Sequence, residues 1–237
     1  MWSVNNYNFK IYLNSKILKY CTGLEELVLP YSFVDGVFEL EDFKNLALKL
    51  LIINDDMIEV TGDIANLANS PLPYGLQLPN KAIYGDIGVF KNKTITNILD
   101  LSNTDVHGSL LGVSDSTADY ILLRNLKKPI TDNLGLLKPS VKFISFGNSA
   151  YTNLWFNDWS VPRTKFLAVE NGYMEWGIND FIKKSATLTV AAGLLDYEKK
   201  ISMNANGLDS ANPQVETALQ TLRTKGVDVV INGVLVN

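Results

Sequence analysis

One cysteine and one histidine are all that 237 residues offer to thiol or imidazole chemistry. A lone thiol, Cys21, forms no intrachain disulfide, and its expected role is that of a small buried hydrophobe rather than a reactive nucleophile. Ser-His-Asp and Cys-His relays need a histidine, and zinc sites draw several ligands from His and Cys, so both chemistries have little to draw on. Acidic residues outnumber basic ones, 25 to 21, for a net charge of −4. No surplus of positive charge is available to neutralise phosphates, and nucleic acid is not an expected partner. No apolar run reaches the roughly 18 residues that cross a bilayer, so membrane insertion is not expected. The first residues, Met1-Trp2-Ser3-Val4-Asn5-Asn6, have neither the positive start nor the apolar stretch of a secretory leader. Virion, cell surface and cytoplasm all stay open as locations. Neither a P-loop nor a G-x-G-x-x-G pattern occurs, and no cofactor is expected.

What the sequence does contain is a repeat. Val60-Thr61-Gly62-Asp63-Ile64, Ile83-Tyr84-Gly85-Asp86-Ile87 and Val106-His107-Gly108-Ser109-Leu110 superimpose without a gap at a step of 23 residues. The register extends outward to Ile53, Leu76 and Leu99 on one side and to Leu67, Phe90 and Val113 on the other. Leu76-x-Leu78 and Leu99-x-Leu101 have the alternation of a strand with one buried face. After the glycine, apolar residues three apart (Ile64 and Leu67, Ile87 and Phe90, Leu110 and Val113) fit one helical or 3-10 turn. Each unit therefore reads as strand, turn and short return, with Ile53, Leu76 and Leu99 stacked in neighbouring strands.

This pattern resembles the leucine-rich repeat, L-x-x-L-x-L-x-x-N-x-L, with an L-x-G-x-I continuation similar to the plant-type variety. The resemblance is clearest over residues 48 to 115 and returns at Ile201-x-Met203-x-x-Asn206-x-Leu208. It departs at Lys81 and Thr104, which stand where the family has its turn asparagine, while Asn80 and Asn103 come one residue early. The resemblance implies an α/β repeat: a leucine-rich-repeat solenoid with parallel strands on the concave face, short helical or 3-10 returns, and terminal caps. Weaker copies are read at Leu24-x-x-Leu27-x-Leu29, Ile121-x-Leu123, Ile144-x-Phe146, Leu167-x-Val169 and Leu188-x-Val190, about eight to nine units in all.

The expected organisation is a single domain, with an N-terminal cap over 1–23, repeats over 24–208 and a C-terminal cap over 209–237. Tyr7, Phe9, Ile11 and Leu13 alternate as an amphipathic strand that covers the first repeat. At the other end Asn212-Pro213 opens a helix whose apolar face is Val215, Ala218, Leu219 and Leu222, Gly226 closes it, and Val227–Ile231 is a strand. The closing stretch, from Asn206-Gly207-Leu208 through the proline-started helix to Lys225-Gly226-Val227, resembles endings of bacterial and phage leucine-rich-repeat proteins. That resemblance implies a microbial or viral surface protein.

Catalysis is not expected. His107 occupies a repeat slot that Thr61 and Tyr84 fill in other copies, so a relay there would have no fixed chemistry. Asp63 and Asp86 recur in phase, but Ser109 takes the third position, which fits short polar residues satisfying turn amides better than a calcium loop or an acid pair. No metal is expected.

The resemblance instead implies a binding module for a protein or surface glycan, in adhesion or receptor binding, with Gln77, Asp100, Arg124, Ser145, Ala168 and Ser202 facing outward from the strands. The stretch Phe143–Phe181 adds a density of aromatics, among them Phe146, Tyr151, Trp155, Phe156, Trp159, Phe166, Tyr173 and Trp176. It reads either as core filling or as a contact surface in which Trp155, Trp159, Tyr173 and Trp176 are binding residues; Trp155 and Phe156 are adjacent and cannot both point inward. The alternative function is a structural component of a virion or tail fibre, with self-association or virion assembly as its interaction.

Overall fold

The structure is a computed structural model and describes residues 11–29, 34–147, 152–190, 192 and 194–237. Tyr7 and Phe9 of the expected N-terminal strand, and Tyr151 of the aromatic segment, lie outside the described residues. Two parallel ladders wind side by side along the chain, and together they make a leucine-rich-repeat solenoid.

The front ladder joins nine strands among the described residues, from Glu26–Leu29 through Leu50–Ile53, Gly75–Gln77, Ile98–Asp100, Tyr120–Leu122, Phe143–Ser145, the first residues of Ala168–Trp176, and Lys200–Ala205 to Asp228–Ile231. Register places Leu27, Leu51, Leu76, Leu99, Ile121, Ile144, Val169, Ile201 and Val229 in one row. From Leu51 onward every member of the row is buried, and each such side chain stabilises the fold by about 1.5–3 kcal/mol relative to exposure. The side ladder runs through Ile11–Asn14, Val34–Glu39, Ile58–Asp63, Ala82–Asp86, Asp105–Ser109, Ile130–Asn133 and Thr152–Trp155.

One expected stack shifts. Leu51, not Ile53, pairs with Leu76. Ile53 and Val60 lie seven apart, whereas Leu78 and Ile83 lie five apart, so the turn after Leu50–Ile53 carries two extra residues. The pentapeptides keep their 23-residue step in the sequence, although their strands pair two residues out of it, Gly62 opposite Ile83 and Gly85 opposite Val106, while the strand before them slips by one side-chain pair.

The recurring glycine and acid have a shared cause. Four successive side strands, from Ile58–Asp63 to Ile130–Asn133, end in a residue whose side chain caps the following 3-10 turn: Asp63 accepts from the Ala65 amide (2.8 Å), Asp86 from Gly88 (2.6 Å), Ser109 from Leu111 (2.9 Å) and Asn133 from Gly135 (2.9 Å). The preceding glycines 62, 85 and 108 sit at φ between +115° and +123°, where a side chain is strained.

At the front-to-side turn, Asn80, Asn103 and Asn125 adopt left-handed φ of 58°, 57° and 52° and bond one another amide to amide, Asn103 to Asn80 at 2.5 Å and Asn125 to Asn103 at 3.0 Å. Their early position relative to the family pattern is thus a working ladder. Lys81 and Thr104, next in sequence, do the carbonyl-binding work: buried Lys81 Nζ donates to the carbonyls of Asp55 and Ile58 at 2.6 and 2.7 Å, and Thr104 Oγ1 donates to Leu101 at 2.7 Å.

Toward the C-terminus, helices α1 (Ile178–Ala186) and α2 (Pro213–Thr224) take the place of the 3-10 returns and pack together. Asn212 caps α2, and Val215, Ala218, Leu219 and Leu222 are its buried residues, as the spacing predicts. The nine-residue strand Ala168–Trp176 belongs to both ladders, pairing with Phe143–Ser145 at its start and with Leu154 and Trp155 at its end. It pairs directly with Lys200–Ala205 on the other side. The expected copy at Leu188-x-Val190 is therefore not a ladder strand; Thr189 makes an isolated bridge to Lys165. Val234–Leu235 folds back antiparallel on Asp228–Ile231 through Asn232-Gly233 and closes the front ladder. Cys21 also departs from expectation: it is exposed, following the 3-10 turn Ser15–Tyr20.

Candidate functional site

The outward row of the front ladder, one residue after the buried row, is Val28, Ile52, Gln77, Asp100, Leu122, Ser145, Glu170, Ser202 and Val230. Gln77, Asp100, Ser145 and Ser202 hold the expected positions in it. Arg124 lies two residues beyond its strand's member, Leu122, and Ala168 two residues before Glu170. Ala168 and Ser145 are buried, so neither presents itself to a partner from this face. Ala168 stands in register with Phe143. Ser145 lies under an ionic bridge.

That bridge organises one end of the face. Arg124 Nε donates to Ser145 Oγ at 2.8 Å and Nη2 reaches Glu170 at 3.3 Å. Ser145 donates to Glu170 Oε2 and Lys200 Nζ to Oε1, both at 2.6 Å. Burial alone would raise the Glu170 pKa, but hydrogen bonds from Lys200 and Ser145 and the charges of Lys200 and Arg124 outweigh it and hold the carboxyl below its ordinary value. Beside it a segment carrying the 3-10 turn Asp196–Glu198 comes up to the face: Glu198 accepts from the Leu195 amide at 2.8 Å and meets the Tyr120 hydroxyl at 3.5 Å. Leu195 and Tyr197 stand exposed on that segment, at 52% and 68%.

The opposite end is apolar and open. Val28 is 43% exposed and Ile52 half-buried there; further along, past Gln77 and Asp100, half-buried Leu122 stands in register beside Ser145. Polar relief comes from Gln77, which accepts from Asn54 at 2.8 Å, and from Asp100, which accepts from the Ser102 amide at 3.0 Å.

The aromatic segment divides between its two expected readings. Phe143, Phe146, Phe156, Phe166 and Phe181 are core. Trp159 is half-buried, edge-on to Phe156 and Phe181 with centroids 4.9 and 5.9 Å away, and carries the Arg163 guanidinium 5.0 Å above its ring. Burial lowers the Arg163 pKa to about 10, which leaves it charged at neutral pH, and its Nη2 donates to the carbonyls of Lys138 and Val141. Trp155 and Trp176 are register partners on adjacent strands and stack at 6.2 Å with planes 14° apart, Trp176 being 47% exposed. Tyr173 is half-buried and its hydroxyl accepts from Asn206 at 2.9 Å.

His107 is half-buried in its repeat slot, its Nδ1 buried without a partner. Among the described residues no group of three or more His, Cys, Asp or Glu side chains is placed to hold a metal, and no helix is long and apolar enough to cross a membrane. Leu122, Glu170, Lys200, Leu195 and Tyr197 were not singled out by sequence. The first two sit in the outward row once the register is read one residue past each buried apolar position; nothing in the sequence marks the contact of the Leu195–Lys199 segment with Tyr120.

No protein-family model matches the chain, and no curated protein matches it. Among solved structures, the leucine-rich-repeat ectodomain of the Arabidopsis thaliana plant membrane receptor kinase GASSHO1/SCHENGEN3, determined in complex with CASPARIAN STRIP INTEGRITY FACTOR 2, is similar at 13% identity over 94% of this chain, with a TM-score of 0.41. This chain spans 32% of that one, about a third. The fold assignment rests on the two ladders themselves.

Proposed function

We propose that this chain is a non-catalytic recognition module that binds a protein partner along the front ladder. The observation that carries the reading is the outward row itself: it starts apolar at Val28 and Ile52, passes through Gln77 and Asp100 to Leu122, and ends beside the fixed charges of Arg124, Glu170 and Lys200, with Leu195 and Tyr197 exposed nearby. Exposed apolar residues rimmed by ordered charge are what a protein interface uses, the former for burial and the latter for register. Selection of a displayed random-peptide library on the folded chain tests it. Peptides should be recovered whose affinity falls at least roughly tenfold, about 1.4 kcal/mol, in Leu122→Arg and is unchanged in Leu111→Arg, an exposed position on a 3-10 return. Equal loss in both variants, or no recovered peptide, overturns the proposal.

A second reading, a self-associating structural component of a virion or tail fibre, is favoured by the terminal hairpin. Val234 and Leu235 are exposed on the short strand folded back antiparallel on Asp228–Ile231, and an apolar edge strand is a template for pairing with another copy. The resemblance of the C-terminal stretch to phage proteins points the same way. Light scattering on the eluting protein separates the two: a monomer supports free recognition, a closed oligomer lost in Val234→Lys supports assembly.

A further inference from the structure

Beside Trp176, where the side ladder meets α1, a cleft of about 370 Å³ opens, bounded by Glu175, Trp176, Asn179, Asp180, Asn206 and Gly207. Its size falls in the roughly 300–1,000 Å³ range of small-ligand sites. We infer that this cleft is a carbohydrate site that stacks one neutral pyranose ring on Trp176.

Three features fix the ligand class. The first is the aromatic wall: Trp176 is 47% exposed and backed by Trp155, stacked behind it at 6.2 Å, so its orientation is set before any ligand arrives. An indole face held this way matches the apolar C–H face of a sugar ring. The second is the mixture of hydrogen-bonding groups. Asn206 spends its Nδ2 on Tyr173 at 2.9 Å and keeps Oδ1 as an acceptor, and Glu175 has no ion pair among the described residues. The opening amides of α1 have no side-chain cap, Gly177 standing at the N-cap, so they are donors without an intrahelical partner. Sugar hydroxyls donate and accept at once, and this lining offers both. The third is charge. Glu175 is anionic, and Asp180 is only partly offset by Lys183 at 2.8 Å, so the cleft repels sialylated and sulfated glycans.

The floor is rigid. Asn179 donates to the Gly207 carbonyl at 2.9 Å and accepts from the Asp209 amide at 3.0 Å, tying α1 to the loop after Lys200–Ala205. A ligand would meet a preformed surface, which lowers the entropy cost of binding. The site lies between the end of Ala168–Trp176, the start of α1 and the loop after Lys200–Ala205, and it includes none of the outward row of the front ladder.

The test uses the whole chain on a glycan microarray carrying neutral, sialylated and sulfated structures, followed by calorimetric titration of the strongest neutral hit. Expected are binding to neutral glycans, its loss in Trp176→Ala, at least a tenfold weakening in Asn206→Ala, and no change in Leu122→Arg, which separates this site from the front face. Asn206→Ala removes no core side chain, so it keeps the test valid should Trp176→Ala fold poorly. Binding should also resist salt and persist within about threefold in Glu175→Gln. An array with no signal above Trp176→Ala, a preference for sulfated or sialylated glycans, or binding of tetramethylammonium abolished by Glu175→Gln, the behaviour of a cation site, each overturns the inference.

Discussion

The carboxylate of Asp86 closes over the α-carbon of Gly108, one repeat further on, and leaves no room there for a β-carbon. Asp86 is fixed in that place because it also caps its own 3-10 turn at the Gly88 amide, 2.6 Å away. The same relation holds between Asp63 and Gly85. The glycine and the acid that repeat in the sequence are thus halves of one lock between successive coils, which accounts for their recurring together without any ligand.

Gly108→Ala should therefore destabilise the chain by about 1–3 kcal/mol, since alanine must both adopt φ near +123° and displace a capping carboxylate. Urea unfolding of the purified variant measures it. Stability equal to the parent's would mean that the lock is loose and the acid is there for another reason.

The left-handed asparagines admit a finer test. At Asn103, φ is 57° and the side chain joins both neighbouring repeats. Asn103→Ala loses the amide ladder and leaves a β-carbon in the left-handed region without the short polar side chain that makes it tolerable, whereas Asn103→Gly loses the ladder but also removes the β-carbon. The alanine variant should be less stable than the glycine variant by about 1 kcal/mol, read as the gap between their urea midpoints. The reverse order would show that the left-handed φ is not what selects the residue here.

The solenoid and its period were legible because a 23-residue step forces the same side-chain types into the same slots. The two-residue insertion after Ile53 was not, because the pentapeptides remain in phase across it and only strand pairing exposes the slip. Asn80 and Asn103 looked misplaced against the family pattern; a linear consensus carries no dihedral, and their left-handed φ gives them their role. The outward row was half legible. Alternation located Gln77, Asp100 and Ser202 correctly, but burial of Ser145 depends on Arg124, Glu170 and Lys200 converging from separate strands, and that is invisible along the chain.

The three tryptophans of the aromatic segment should separate by stability. Trp159 packs edge-on against Phe156 and Phe181 and supports Arg163, so Trp159→Ala should cost about 3–5 kcal/mol. Trp176→Ala removes a half-exposed ring and should leave the melting temperature within a few degrees of the parent's. Differential scanning calorimetry on both variants checks it, and a Trp176 variant that unfolds as early as the Trp159 variant would place the stacked pair in the core.

Acid should act on the fold through Glu170. Its carboxyl is held below the ordinary value by Lys200, Ser145 and Arg124 against the opposing effect of burial, so the folded state binds this proton less readily than the unfolded chain. The stabilisation it brings is then fully present above the unfolded carboxylate pKa, about 4.3, and is lost as pH falls through the lower folded value. Glu170→Gln cannot titrate and forfeits the ionic bridge at every pH. The gap in urea midpoint between parent and variant should therefore be widest at neutral pH and narrow on going to pH 3. A gap that stays constant over that range would mean that Glu170 contributes by hydrogen-bond geometry alone, its charge playing no part in holding Arg124 and Lys200 on the front face.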